Sequence, residues 1–208
     1  MATAVRLDDS FDTTDVRTLV RGSAILGLIQ AVIVFAVSLV NRGLEGTPDA
    51  ALTAILVAIG AIACAFLPGI WTRARSSEGS GGAAMIGLGA ALMFLVVDVI
   101  LLQPIGTYTN RWWEVGGMSN WWYHPVWWMV SSFLSWMGAW ILANQANRRG
   151  SVSVAGGAVL VAILTLILGA AAAALHFPGA GWNVPTFGVA IMPALALGAI
   201  VSGLGARK

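Results

Sequence analysis

The chain has 208 residues, of which 58% are hydrophobic and only 10% are charged. A soluble domain of this length has roughly a quarter of its residues charged, so the composition excludes an ordinary soluble domain and indicates a membrane protein. The formal net charge of +2 does not indicate nucleic-acid binding, because the few basic residues fall between long apolar runs. The single cysteine, Cys64, excludes a disulfide or a thiolate metal cluster within one chain.

The N-terminal 21 residues are polar and rich in aspartate, unlike a cleaved signal peptide. Asp12 and Asp15, with the two threonines between them, supply side chains that cap helix N-termini. They predict a short helix starting at Val16 and lying at the membrane surface. We expect residues 1–21 to form a cytoplasmic, amphipathic segment and residues 22–208 to form the membrane domain.

Six apolar runs fill the rest of the chain, each long enough to cross a bilayer as a helix that satisfies its own backbone hydrogen bonds. Glycine, proline and asparagine residues in the gaps between the runs favour turns. The sequence therefore predicts an all-α integral membrane protein, a compact bundle of six transmembrane helices with an interfacial Trp-rich segment between helices three and four. The expected spans cover about 22–40, 50–71, 83–103, 126–146, 152–176 and 184–204.

Lysine and arginine residues are distributed unevenly between the two sides of this predicted bundle. Of the eleven basic residues, only Arg42 and Arg111 fall on one side. Cytoplasmic loops carry the excess of positive charge, so we expect both termini in the cytoplasm, and an inner membrane as the location. The nine residues assigned to the cytoplasmic side are Arg6, Arg17, Arg21, Arg73, Arg75, Arg148, Arg149, Arg207 and Lys208.

Small and polar residues within the spans indicate close helix packing. Ala83, Gly87 and Ala91 recur at intervals of four in the third span, which lets a neighbouring helix approach. Four uncharged polar residues are expected to bond across helices or back to their own helix carbonyls. They are Gln30, Ser131, Ser132 and Ser135.

Eight of the ten tryptophans lie between residues 112 and 140. Those before the fourth span suit the outer membrane interface, where an indole ring pairs an apolar body with a wetted N–H. Within that span, tryptophans and Ser132 recur at intervals of four and so share one face that descends into the membrane. We expect this face to meet partner helices or a hydrophobic pigment or quinone. The residues assigned to such a contact are Trp121, Trp122, His124, Trp128, Trp136 and Trp140.

Asp98 is the one ionisable residue placed clearly within a predicted span, and a charge there is costly enough to suggest a function. His124 and His176 are predicted to lie at the same, outer side, with Tyr108, Glu114 and Tyr123 nearby. A carboxylate and two imidazoles are able to hold copper or zinc or to pass a proton. The alternative is that Asp98 pairs with one polar group and that the histidines are interfacial hydrogen-bonding residues.

One short segment resembles a known family. His176-Phe177-Pro178-Gly179, followed by Trp182-Asn183-Val184-Pro185, is similar to a Pro-Gly-…-Trp-…-Pro loop of the copper membrane monooxygenases. The metal-bearing subunit of that family also uses an Asp and two His, which implies copper near Asp98. The resemblance covers about ten residues and the spacing of the candidate ligands differs, so the chain is not assigned to the family.

Catalytic motifs such as a phosphate-binding glycine loop or a zinc-protease HExxH are absent from the sequence. The leading hypothesis is therefore a non-catalytic subunit of a larger bacterial membrane complex, of the photosynthetic, respiratory or oxygenase kind. Its partners would be membrane lipid and other membrane protein subunits. Two alternatives stay open: a small proton- or cation-coupled transporter that uses Asp98, and a metal-dependent membrane oxidoreductase with an Asp/His/His site.

Overall fold

The computed structural model describes residues 12–108 and 123–204, and residues 123–126 are described by their backbone alone. The described chain consists of six long helices and contains no strand. In chain order they are α1 (Val16–Gly43), α2 (Gly46–Trp71), α3 (Ser77–Val97), α4 (Tyr123–Arg149), α5 (Val154–Ala174) and α6 (Val184–Gly203). One π-helical turn, Asp98–Leu102, continues α3 without a break.

Five of these helices are long and apolar enough to cross a membrane: α1, α2, α3 with its π turn, α5 and α6. This is the architecture of a helical membrane protein, as the sequence predicted. The sixth, α4, has 27 residues and reaches about 40 Å at ~1.5 Å per residue. Its tryptophan, serine and asparagine side chains make it less apolar than the other five. The predicted Trp-rich segment ahead of it lies outside the described residues.

Capping side chains define the helix starts. Asp15 accepts a hydrogen bond from the backbone N–H of Thr18 at 3.0 Å, which makes it the N-cap of α1. The helix predicted from Val16 is the beginning of α1 itself, which runs unbroken to Gly43. Asp12 accepts from the backbone N–H groups of Arg75 and Gly79, so the N-terminal segment is tied to the start of α3.

The helix α4 lies at the centre of the bundle and packs against α2, α3 and α6. On one side α1 packs against α3 and α2, and on the other α5 packs mainly against α6. Small residues allow these close approaches, as predicted for Gly87 of α3. A Cβ atom on Gly87 would lie 2.5 Å from the carbonyl oxygen of Ser131, and one on Gly138 would lie 1.9 Å from that of Ala65.

Polar side chains at the centre of the bundle join four helices. Gln30 of α1 donates to the Ser131 hydroxyl at 2.9 Å, and Ser131 in turn donates to the Gly87 carbonyl of α3 at 2.8 Å. Ser135 donates to the carbonyl of Cys64 in α2 at 2.9 Å. By contrast, Ser132 donates back to the carbonyl of Trp128 in its own helix. Both kinds of bond were predicted for these residues, and hydrogen bonds across helices help to hold membrane bundles together.

Candidate functional site

Asp98 is completely buried at the point where α3 widens into its π turn. In that turn the N–H of Gln103 bonds to the carbonyl of Asp98 at 2.8 Å, five residues back along the chain. Single π-helical turns are rare and occur frequently at functional sites. The wider turn brings the side chains of residues 98 and 103 onto the same part of the helix surface.

Two side chains donate hydrogen bonds to the carboxyl group of Asp98. The Gln103 side-chain amide donates to one oxygen at 2.6 Å, and the Tyr108 hydroxyl donates to the other. Tyr108 reaches Asp98 because the chain after the π turn folds back, with Gly106 at a φ of +68° that favours glycine. Arg42, in the last turn of α1, donates to the Gly106 carbonyl and fixes this bend from outside.

Apolar and aromatic side chains pack around this end of α3. A small cluster of Ala31, Val34, Phe94 and Leu102 is covered by Tyr108 and Trp127, among others. The rings of Phe94 and Trp127 lie 5.1 Å apart, centroid to centroid. Such surroundings exclude water, so the two donors to Asp98 replace the solvent hydrogen bonds that its oxygens would otherwise make. The arrangement can hold a carboxyl group in place or hold and release a proton.

The structure does not test the predicted metal site as a whole. Asp98 is buried, whereas His176 is exposed in the α5–α6 connection, where its backbone takes a φ of +53°. The side chain of His124 lies outside the described residues. In the part of the chain that the structure describes, no three His, Cys, Asp or Glu side chains come close enough together to hold a metal ion. Coordination by Asp98, His124 and His176 therefore stays a prediction.

Three of the four tryptophans of α4 form one outward face, as their spacing predicted, while Trp127 packs inward against Phe94. Trp128, Trp136 and Trp140 are 38%, 44% and 46% exposed, while Ser131 and Ser135 of the same helix are buried in the bundle. The indole rings of Trp136 and Trp140 stack with their centroids 5.8 Å apart and an angle of 22° between planes. We call these three residues the Trp face. Trp121 and Trp122, which were assigned to the same contact, lie outside the described residues.

Sequence reasoning placed Tyr108 near Asp98 but missed Gln103. An ordinary helix brings together residues three or four apart, so position 103 gave no signal as a partner of position 98. The signal would have been the π turn itself, which has no recognisable residue pattern here.

The fold and these two sites define a helical membrane protein with a buried, hydrogen-bonded carboxyl group and an exposed tryptophan face. No protein-family model, curated protein or solved structure matches the chain.

Proposed function

We propose that this protein is a non-catalytic, six-span subunit of a larger bacterial inner-membrane complex that it contacts through the Trp face of α4. Energy-transducing assemblies of the photosynthetic, respiratory or oxygenase kind fit best, because they combine such subunits with hydrophobic cofactors. The observation that carries the proposal is the outward orientation of Trp136 and Trp140 in the middle of a long helix.

The helix α4 is proposed as the sixth span. Its length of about 40 Å at ~1.5 Å per residue exceeds the roughly 30 Å of hydrocarbon in a typical bilayer. Its last turn carries Arg148 and Arg149, which suit the cytoplasmic boundary by the positive-inside rule. With α4 as a span, the loops rich in lysine and arginine all fall on one side of the membrane, and that side, with both termini, is the cytoplasmic one.

The depth of the tryptophans favours a protein or cofactor partner over lipid. Trp136 is 13 residues from the start of α4 and 13 from its end, so it lies about 20 Å from either end at ~1.5 Å per residue. Tryptophan is enriched at the two interfaces, where its N–H is wetted, and lipid tails at the centre offer that N–H no acceptor. A partner helix or a flat cofactor offers an acceptor or a ring to stack on.

Purification in a mild detergent, with mass spectrometry and an absorption spectrum of whatever co-purifies, tests the proposal. We expect Trp136→Ala combined with Trp140→Ala to release the associated subunits or pigment while the chain stays folded. The matched control is Ile55→Ala combined with Ile59→Ala, a pair at the same spacing on α2 that is 54% and 51% exposed. A wild-type protein that purifies as a lone monomer without pigment or quinone would contradict the proposal.

A second candidate function, proton- or cation-coupled transport, is favoured by one observation: Asp98 is fully buried in a π turn. Ionisable residues within membrane spans commonly belong to proton or ion pathways. Reconstitution into proteoliposomes tests this function by comparing the wild type with Asp98→Asn. Uptake or leak that is the same in both proteins would remove the support for transport through Asp98.

A further inference from the structure

The N-terminal end of α1 carries a feature that is separate from the Trp face and from Asp98. Arg17 and Arg21 are both exposed, and their spacing of four places them on the same side of the helix. Large, exposed apolar side chains continue this row at intervals of three or four, and we call the whole row the outward face of α1. The apolar members are Ile25, Leu28, Val32, Phe35 and Leu39. The outward face is therefore charged at its N-terminal end and apolar along the rest of its length.

The composition of the outward face favours lipid over a partner helix. Small residues are enriched where helices pack together in membranes, and α1 has them on its buried side, at Gly22, Gly27 and Ala31. A methyl group added at Gly27 would lie 2.7 Å from the carbonyl oxygen of Ala90 on α3. The outward face contains no small residue, so its apolar side chains suit the hydrocarbon tails of lipids.

The length of α1 places the two arginines at the depth of the lipid headgroups. The helix has 28 residues and is about 42 Å long at ~1.5 Å per residue. A bilayer is about 40–45 Å thick with its headgroup layers and roughly 30 Å thick without them, so each headgroup layer is about 5–8 Å thick. Arg21 lies five residues after the start of α1 at Val16, about 8 Å along the axis. Arg17 and Arg21 therefore lie within one headgroup layer.

Within the part of the chain that the structure describes, neither Arg17 nor Arg21 forms an ion pair with a carboxylate. The nearest carboxylate in the sequence, that of Asp15, accepts hydrogen bonds from the backbone N–H and the hydroxyl of Thr18. The carboxylate of Asp12 accepts from backbone N–H groups at the start of α3. Both guanidinium groups are thus available to an anion outside the protein.

The position of the two arginines is unfavourable unless an anion lies beside them. Arg17 is in the first turn of α1, near the positive end of the helix dipole, where a cation is destabilising. Like charges four residues apart, as in Arg17 and Arg21, also destabilise a helix. A bound anion relieves both effects, because it is attracted to the helix N-terminus and to both side chains.

We propose that Arg17 and Arg21 bind the phosphate group of an anionic phospholipid whose tails lie along the outward face of α1. The guanidinium group of arginine matches the geometry of phosphate and donates two parallel hydrogen bonds to it. Two neighbouring positive charges favour a headgroup with a net negative charge, because the ammonium group of a zwitterionic headgroup is repelled. The proposal is independent of the Trp face.

Native mass spectrometry of the purified full-length protein tests the proposal, with phosphatidylglycerol and phosphatidylcholine of the same acyl chains as the two probes. The wild type should bind phosphatidylglycerol more tightly than phosphatidylcholine. Arg17→Gln combined with Arg21→Gln should lower the affinity for phosphatidylglycerol at least about 5-fold, the effect of losing one basic residue at an anionic surface. The affinity for phosphatidylcholine should stay unchanged.

Thermal unfolding provides a second measurement and identifies any variant that fails to fold. Phosphatidylglycerol should raise the melting temperature of the wild type, because a ligand that binds only the folded state stabilises it. The same lipid should not raise the melting temperature of the double variant. In phosphatidylcholine the double variant should melt no earlier than the wild type, because the unfavourable charges have been removed.

Arg207→Gln combined with Lys208→Gln is the matched control, since it removes the same charge without changing α1. Equal affinity of the wild type and the α1 double variant for phosphatidylglycerol would overturn the site, and so would an equal loss in the control. Equal binding of both lipids by the wild type would assign the arginines to another anion, such as an acidic partner protein. Displacement of the lipid by an equal concentration of inorganic phosphate would overturn the assignment to a lipid. Each result leaves the subunit proposal intact, because the Trp face belongs to α4.

Discussion

The hydroxyl of Tyr108 donates a hydrogen bond to the buried carboxyl group of Asp98, although the two residues lie on opposite sides of a chain reversal. This bond covers the end of α3, because the segment after the π turn folds back over Asp98, the first residue of that turn. The side-chain amide of Gln103 completes the arrangement from within the reversal. Asp98 is thus held by polar groups close to it in the sequence.

Replacing Tyr108 by phenylalanine should destabilise the protein. The ring still packs against the apolar cluster around Phe94, so the lost hydroxyl accounts for the effect. Removing one partner of a buried hydrogen bond costs about 1–3 kcal/mol. Thermal or denaturant unfolding in detergent measures the change.

The control for this prediction is Ile100→Ala in the same π turn, where the side chain is 72% exposed. Exposed substitutions usually change stability by less than about 0.5 kcal/mol. If Tyr108→Phe and Ile100→Ala are equally stable, the bond between Tyr108 and Asp98 does not support the fold.

Asp98 also shows where sequence reasoning reached its limit. Its burial followed from its place in an apolar run, because a charge in that position is rare enough to be singled out. Its candidate neighbours were the residues that chain order places on the same side of the membrane, and they included Tyr108 but not Gln103. The observed partners depend on a π turn and a reversal at Gly106, and neither is visible in residue spacing.

The helices themselves were largely predictable, because apolar runs of this length must be helical in a bilayer. Their ends were less so. The gap before the second span was predicted to form a turn, yet its last four residues, Gly46 to Asp49, form the first turn of α2. Pro48 is tolerated there because a backbone N–H at the start of a helix has no helical partner to lose. The count of six spans remains a prediction, because α4 is less apolar than the other five helices.

A methyl group added at Gly138 should strongly disturb the contact between α4 and α2. The new Cβ would lie 1.9 Å from the carbonyl oxygen of Ala65, so the two helices must separate. Overpacking of this kind costs typically 1–3 kcal/mol, and occasionally more. Gly81→Ala in α3 is the matched control because nothing lies within 4 Å of its added Cβ. We expect that control to be neutral or stabilising by about 0.4–1 kcal/mol. Equal melting temperatures for the two variants would contradict the close approach of α2 and α4.

The carboxyl group of Asp15, the N-cap of α1, should make the stability of the protein depend on pH in the acid range. Hydrogen bonds from the side chain and then the backbone of Thr18 lower the pKa of Asp15 below its ordinary value of 3.8. A carboxyl group with a lowered pKa in the folded state adds stability above that ordinary value, and this stability is lost as the pH falls through the folded-state pKa. Asp15→Asn keeps a capping side chain but removes the titration. Asp15→Asn should therefore lose less stability than the wild type when the pH falls from 5 to about 3. Thermal unfolding at the two pH values measures the change. The same acid dependence in both proteins would show that other groups cause it.

Ser131 and Ser132 provide a matched pair for measuring what the central hydrogen bonds contribute. The Ser131 hydroxyl accepts from Gln30 of α1 and donates to Gly87 of α3, whereas Ser132 bonds only within its own helix among the described contacts. One hydrogen bond between membrane helices contributes about 0.6 kcal/mol to stability on average and at most about 1.7 kcal/mol. Ser131→Ala should therefore cost about 0.6–1.7 kcal/mol.

Ser132→Ala should be close to neutral. The Trp128 carbonyl loses the Ser132 hydroxyl but still accepts the backbone hydrogen bond of α4. Reversible unfolding of both variants in the same detergent mixture measures the difference. Because the two substitutions are chemically identical and adjacent, they share helix propensity and helix depth. Any difference between them reports the contacts across helices. If Ser132→Ala proves as costly as Ser131→Ala, then packing around α4, and not the link from Gln30 to Gly87, holds the centre of the bundle together.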